Sequence, residues 1–160
     1  MVAPALVAKD FKPETPPDWC AGCGDFGVLS SLFQACADLQ IKPHDLLVVS
    51  GIGCSSNLVG FIRSYGVHSL HGRALAFATG AKLANQAMTV IITGGDGDGY
   101  GIGLNHFVQA MRRNIDVTYI VMNNEIYGLT TGQASPTTEP GIKTKTTPHG
   151  NIEGMLNPIS

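Results

Sequence analysis

Thr89-Val90-Ile91-Ile92-Thr93-Gly94-Gly95-Asp96-Gly97-Asp98-Gly99 is the stretch from which the fold can be worked out. An unbroken run of β-branched residues is what a strand covered on both faces requires, and the glycine-aspartate run after it ends the strand abruptly. The same pattern occurs on either side. Upstream, Leu46-Leu47-Val48-Val49-Ser50 runs into Gly51-Ile52-Gly53-Cys54; downstream, the segment from Val117 to Met122 runs into Asn123-Asn124. From Val28 onward, Leu29, Leu32, Phe33, Cys36 and Leu39 fall on one face at helical spacing. Residues 73–88 are rich in alanine, a strong helix former, and Leu104, Phe107, Val108 and Met111 mark a further amphipathic helix ending at Arg113. Strands alternating with helices predict parallel strands joined by crossover helices, an α/β doubly wound, mostly parallel sheet.

With 160 residues, 44% hydrophobic and 14% charged, the chain has material for one core. Residues 1–18, with Pro4, Pro13, Pro16 and Pro17, read as an irregular arm, and residues 19–160 as the domain. A net charge of -2 provides no footprint for nucleic acid or an anionic membrane. No apolar run reaches the roughly 18 residues of a membrane span, and the segment through Lys12 lacks the order of a secretory signal. A cytoplasmic protein is expected, with neither nucleic acid nor membrane as partner.

Twenty glycines cluster near residues 22–27, 51–53 and 94–103, which suggests backbone approaching a ligand. In a doubly wound sheet ligands bind beyond the carboxyl ends of the strands, where the clusters at 51, 95 and 123 fall. If the strands before Asp96 and Asn123 pair directly, their ends lie about 5 Å apart. A carboxylate and an amide oxygen at that spacing suit Mg²⁺, which takes oxygen ligands and is completed by phosphates and water. Gly95, Gly97 and Gly99 would let amides turn toward those phosphates, with a helix N-terminus near Ile102 aimed the same way. No P-loop motif occurs, and no window in 94–103 completes Gly-x-Gly-x-x-Gly. A glycine-rich turn beside an unrelated Asn pair is the bland alternative. Gly95-Asp96-Gly97 followed after 25 residues by Asn123-Asn124 resembles the thiamine diphosphate signature of transketolase-like enzymes. That resemblance implies Mg²⁺ ligands at Asp96, Asn124 and the backbone carbonyl of Ile126.

Of four cysteines, Cys20 and Cys23 form a Cys-x-x-Cys pair, which by itself suits a redox pair, a zinc half-site or an iron-sulfur site. Cys36 lies on the apolar stripe of the first helix and reads as a small buried hydrophobe. Trp19-Cys20-Ala21-Gly22-Cys23-Gly24, Gly51-Ile52-Gly53-Cys54-Ser55, His71-Gly72-Arg73, Gly95-Asp96-Gly97-Asp98 and Asn123-Asn124-Glu125-Ile126-Tyr127-Gly128-Leu129-Thr130 together are similar to the β subunit of 2-oxoacid:ferredoxin oxidoreductases. The match continues through Gly132-Gln133, Ser135-Pro136-Thr137-Thr138 and Thr146-Thr147-Pro148, covering nearly everything from Trp19 to Pro158.

The resemblance implies a thiamine diphosphate-binding fold truncated in the C-terminal part of the domain. It also implies a [4Fe-4S] cluster ligated by Cys20, Cys23 and Cys54, its fourth ligand lying outside this chain. Gly51, Cys54, Ser55, His71, Gly72, Gly95, Asp96, Gly97, Asp98, Asn124, Ile126, Gly128 and Leu129 would form the cofactor pocket, with Asn57 and Thr131 at its substrate end. An α (or α/γ) partner subunit, ferredoxin, coenzyme A and a 2-oxoacid follow from the same resemblance, with 2-oxoglutarate preferred over pyruvate. No residue assigned to the substrate end carries a charge for a distal carboxylate. Competing readings are a non-oxidative thiamine diphosphate decarboxylase or synthase and a non-catalytic zinc-binding domain. His44, His68 and His149 read as surface residues, and His106 has no assigned chemistry. Arg112-Arg113 suits a helix C-terminus. The tail from Gly132 onward reads as a long loop covering something.

Overall fold

The computed structural model describes residues 4–159; Met1 to Ala3 of the expected arm and Ser160 lie outside them. Four strands, β1 (Leu46–Ser50), β2 (Tyr65–His68), β3 (Thr89–Gly95) and β4 (Thr118–Met122), form one sheet in the order β2-β1-β3-β4. Every pairing in it is parallel. Helix α1 (Asp25–Asp38) precedes the sheet, while α2 (Ala74–Ala84) and α3 (Leu104–Arg113) lie before and after β3. The period-2 alternation of the strands divides the core into two layers. Leu46, Val48 and Ile91 pack with Leu29, Leu32 and Cys36 of α1, whereas Val49, Val90 and Ile92 pack with Ala74, Leu75 and Ala78 of α2 and Ala110 of α3. The sheet therefore has helices on both faces, as expected of a doubly wound fold.

The structure departs from the sequence expectations in a few places. β2 was not foreseen: Tyr65-Gly66-Val67-His68 sits at the edge of the sheet, mostly exposed, and carries no apolar run to announce it. α1 begins at Asp25 rather than Val28. α2 stops at Ala84 because Asn85 turns extended, its side chain accepting a hydrogen bond from Ala87 N. A π-helical turn over Gly97–Ile102 precedes α3, which starts at Leu104 instead of near Ile102. The arm is not wholly irregular: a 3₁₀ turn, Ala8–Phe11, drives Phe11 completely into the core. Cys36 is buried at 1% exposure, and that burial pushes its thiol above the ordinary range, as its place on the apolar stripe implied.

Chain order places the site. β1 is followed by β2 on one side, and α2 then carries the chain to β3 on the other, so growth of the sheet reverses between β1 and β3. A crevice opens beyond the carboxyl ends at such a switch point. Gly95 of β3 lies opposite Met122 of β4, so Asp96 and Asn123 leave the sheet side by side, which meets the pairing condition set by the sequence.

Two tertiary contacts close this end of the sheet. Gly72 has φ +68°, and a Cβ there would stand 2.5 Å from Ile102 Cγ2 and 2.6 Å from the backbone nitrogen of Gly103. The turn before α2 thus lies directly against the turn before α3. The tail supplies the second contact. Its Gln133–Ala134 segment (β6) pairs antiparallel with Ile126–Tyr127 (β5), which corrects the expectation of a loop without structure. Beyond it, Ser135, Thr137, Thr138 and Asn151 are buried. The Thr137 hydroxyl lies 2.7 Å from Asp96 Oδ2 and 2.9 Å from Asn123 Oδ1, and Thr138 Oγ1 donates to the Glu125 carbonyl.

Gly72→Ala is expected to destabilise the protein by at least about 2 kcal/mol, since it combines a left-handed backbone with a clash against main chain that cannot move aside. Equilibrium denaturant unfolding measures this. Thr137→Val keeps the shape but leaves the buried Asp96 oxygen without its donor, an expected cost of about 1–3 kcal/mol. The same unfolding curve, together with faster proteolysis of the 135–151 tail, checks it.

Candidate functional site

Beyond the carboxyl ends of β1, β3 and β4 lies a cavity of about 290 Å³. Ile52 to Ser55 line it after β1, His71 after β2, Gly95 to Asp98 after β3, and Asn124 with Ile126 to Thr130 after β4. Of the residues singled out from sequence, the wall brings together Cys54, Ser55, His71, Gly95, Asp96, Gly97, Asp98, Asn124, Ile126, Gly128 and Leu129. Gly51, Gly72, Asn57 and Thr131 are not on it. Gly51 lies behind the wall, where a Cβ would overlap the Asp98 carboxylate, so only glycine leaves room for that group. Asn57 sits within the 3₁₀ helix Ser55–Phe61, and Thr131 lies at the turn between β5 and β6 with φ +74°.

Asp96 is 1% exposed, and the Thr137 hydroxyl donates to its Oδ2. Asn124 Oδ1 accepts from Ile126 N at 3.2 Å, which holds the side chain back over its own turn. A carboxylate, an amide oxygen and the backbone of Ile126 therefore border one cavity. This all-oxygen set is the type that suits a hard divalent cation with phosphates completing its shell.

Asp98, 2% exposed, has a different job. Its Oδ1 accepts from Ile52 N at 2.9 Å, Gly72 N at 2.8 Å and His71 Nδ1 at 2.8 Å. Its Oδ2 is buried without a hydrogen-bond partner among the described residues. One oxygen thus ties the loops after β1, β2 and β3 together. The charge is felt nearby: burial, then Asp98, pushes the Tyr119 hydroxyl far above its ordinary range.

Tyr127 went unassigned in the sequence, yet it shapes the wall. Its hydroxyl donates to the Gly97 carbonyl at 3.2 Å, and its ring lies where a Cβ of Gly97 would be. Burial first, then Asp96 and Asp98, raise its pKa. The glycine at 97 is thus required for the space beside this ring, a constraint that the sequence reading had assigned to phosphate approach alone. Lys145 was also missed: its Nζ donates to Thr131 Oγ1 at 2.7 Å and its backbone N to the Gly132 carbonyl at 2.9 Å. It lies thirteen and fourteen residues from Gly132 and Thr131, the residues it joins, and no local pattern announces it. Its cation stands beside the segment for which the sequence provided no charged group.

The cysteines occupy the neighbouring corner. Trp19 Nε1 donates to the Cys54 carbonyl at 2.7 Å, and its ring stands edge-on to Phe26 and Phe61 at 5.3 and 5.2 Å. That indole fastens the Cys20–Cys23 turn to the start of the 3₁₀ helix. Burial raises the Cys54 thiol, and the negative charges of Asp25, Cys20 and Cys23 push it further the same way. A metal ion bound by sulfur reverses this, because a coordinating thiol is deprotonated outright. Among the described residues, no three His, Cys, Asp or Glu side chains already form a closed metal-binding set. Cys54 borders the cavity as well, with its Sγ 3.9 Å from where a Cβ of Gly128 would be. His44, His68 and His149 are exposed as expected, His68 Nδ1 lying 2.8 Å from Ser50 Oγ, and Arg112 and Arg113 end α3.

Residues 51–160 match the family described as thiamine pyrophosphate enzyme, C-terminal TPP binding domain. The chain is 57% identical over 145 residues to the 2-oxoacid:ferredoxin oxidoreductase subunit beta of Saccharolobus solfataricus, covering 89% of this chain and 48% of that protein. It is 53% identical over 150 residues to the 2-oxoacid:ferredoxin oxidoreductase 1, subunit beta, of Aeropyrum pernix, covering 94% and 47%. It thus spans about half the length of the curated relatives it matches. Among solved structures, the 2-oxoglutarate:ferredoxin oxidoreductase from Magnetococcus marinus with 2-oxoglutarate, coenzyme A and succinyl-CoA bound superimposes with a TM-score of 0.95 at 47% identity, covering 96% of this chain and 53% of that one. With Asp96 and Asn124 bordering a cavity at the switch point of a parallel sheet, this chain belongs to the thiamine pyrophosphate enzymes and, among them, to the β subunits of 2-oxoacid:ferredoxin oxidoreductases.

Proposed function

We propose that the chain acts as the thiamine diphosphate-binding subunit of a 2-oxoacid:ferredoxin oxidoreductase in the cytoplasm. The reaction is the coenzyme A-dependent oxidative decarboxylation of a 2-oxoacid, 2-oxoglutarate in preference to pyruvate, with electrons leaving singly through a [4Fe-4S] cluster to ferredoxin. The observation that carries this is the single cavity wall holding Asp96, Asn124 and Cys54 together. A cation site for a diphosphate and a cysteine corner for an electron acceptor share one residue. A non-oxidative decarboxylase or synthase has no use for the second, and a zinc-binding scaffold has none for the first. No helix among the described residues is long and apolar enough to cross a membrane.

In this reading Asp96, Asn124 and the Ile126 carbonyl hold Mg²⁺, and Thr137 keeps the Asp96 carboxylate turned toward it. His71, Ser55 and the Gly95–Asp98 turn, with Gly51 and Gly72 packed behind, form the cradle for the diphosphate. When bound, thiamine diphosphate supplies the carbanion that attacks the 2-keto carbon and the ring that accepts the electron pair released with CO₂. Gly128, Leu129 and Thr130 form the part of the wall after β5. Cys20, Cys23 and Cys54 take three positions of the cluster, and a thiolate from outside this chain takes the fourth. Asn57 and Thr131 stand at the substrate end, and Lys145 beside Thr131 supports a substrate with a second carboxylate. An α (or α/γ) subunit completes the enzyme.

Asp96→Ala is expected to abolish Mg²⁺-dependent thiamine diphosphate binding and leave the cluster's visible absorption intact, while Cys20→Ser does the reverse. Iron, sulfide, magnesium and thiamine diphosphate per chain, measured on the anaerobically purified complex, decide this. Retention of cofactor by Asp96→Ala, or thiamine without iron in the unmodified complex, contradicts the proposal.

A further inference from the structure

Among the described residues, Asp98 is the buried carboxylate that accepts the most hydrogen bonds, and the family resemblance implies a place for it in the cofactor pocket. Its hydrogen bonds point elsewhere. All three donors that reach Oδ1 belong to the protein: Ile52 N, Gly72 N and His71 Nδ1. Because a carboxylate only accepts at this position, the His71 nitrogen facing it is Nδ1–H. Nε2 is then the ring nitrogen left for other partners, and it has no hydrogen bond to any described residue. The imidazole is 38% exposed and lines the cavity, whereas Asp98 is 2% exposed. A buried carboxylate that holds an imidazole by Nδ1–H is the general arrangement by which proteins set which ring nitrogen meets a ligand.

Resting on the thiamine diphosphate reading of the cavity, we infer that Asp98 is a positioning residue whose work is done through His71. It holds the ring, bound as the imidazolium in which both nitrogens donate, so that Nδ1–H goes to Asp98 and Nε2–H to an oxygen of the cofactor's diphosphate, and the Asp98 side chain itself does not touch the cofactor. The same oxygen fixes the loops after β1 and β2, so the donor and the cradle are set by one atom. Gly51 is part of the device, since any Cβ there would displace the carboxylate.

Thiamine diphosphate is titrated calorimetrically into the cofactor-stripped full complex at saturating Mg²⁺. The proteins compared are the unmodified complex, Asp98→Asn, His71→Gln and the double variant. Asp98→Asn retains an acceptor oxygen for all three donors and removes the negative charge that faces the imidazolium, so a role confined to fastening the loops would leave affinity unchanged. His71→Gln is expected to weaken binding about tenfold, the size of one charge-assisted hydrogen bond. Asp98→Asn is expected to weaken it by a similar factor, but by less than about twofold when introduced into the His71→Gln background, because the effect passes through His71. Equal losses in both backgrounds, or unchanged affinity in His71→Gln, would overturn the inference. Unchanged affinity in His71→Gln overturns the inference even if Asp98→Asn does not fold. If the unmodified complex binds no thiamine diphosphate, the reading of the cavity itself falls and this inference with it. Normal binding with equal losses removes this inference alone.

Discussion

Strand β3 is held in parallel register between β1 and β4, and the chemistry of the site depends on that placement. Parallel pairing puts the carboxyl ends of all three strands at one edge, and the reversal of chain order between β1 and β3 leaves a gap there that no crossover helix fills. Ile92 and Thr93, both fully buried, keep β3 from slipping, because a shift of one residue would turn the α1-facing and α2-facing side chains to the wrong layers. Asp96 follows directly from that strand. Its position beside Asn123 is therefore a consequence of backbone register and needs no contact between the two side chains.

Close approach is the second constraint, and it explains the glycines better than flexibility does. Gly51 yields space to a carboxylate, Gly72 to main chain and Gly97 to a tyrosine ring. Each contact brings two loops together at the carboxyl end of the sheet. The cost of ordering so much glycine is offset by buried hydrogen bonds: three into Asp98 Oδ1, and those of Thr137 and Thr138 that fasten the tail over the ends of β3 and β4. Glu125 at φ +60°, just before β5, and Thr131 at φ +74°, in the turn between β5 and β6, add local strain to this hairpin.

Cys54 joins the two halves of the proposed chemistry. It starts the 3₁₀ helix after β1, shares its carbonyl with Trp19 and borders the cavity beside Gly128. A cluster held there would lie next to the cofactor, where single-electron transfer is fastest. Trp19 matters for the same reason: with its ring against Phe26 and Phe61 and its Nε1–H on the Cys54 carbonyl, it holds the Cys-x-x-Cys turn beside the cavity.

The amino-acid sequence by itself determined the class of the fold, the strands β1, β3 and β4, the burial of Cys36 and the convergence of Asp96 with Asn124, because apolar runs, helical periodicity and strand-end glycines are local signals. The family was legible for the same reason, as its motifs are short and ordered along the chain. Only the tertiary structure decided that β2 exists, since an exposed edge strand with a glycine has no apolar run. It alone showed that Thr137 and Lys145 come back over the site from a tail without periodicity. It also brought Asp98, which the motif places at the cofactor pocket, within hydrogen-bond distance of the loops after β1 and β2. Those roles rest on contacts between residues 14 to 46 positions apart, and spacing along a chain carries no record of which side chains its folding will bring within hydrogen-bond distance.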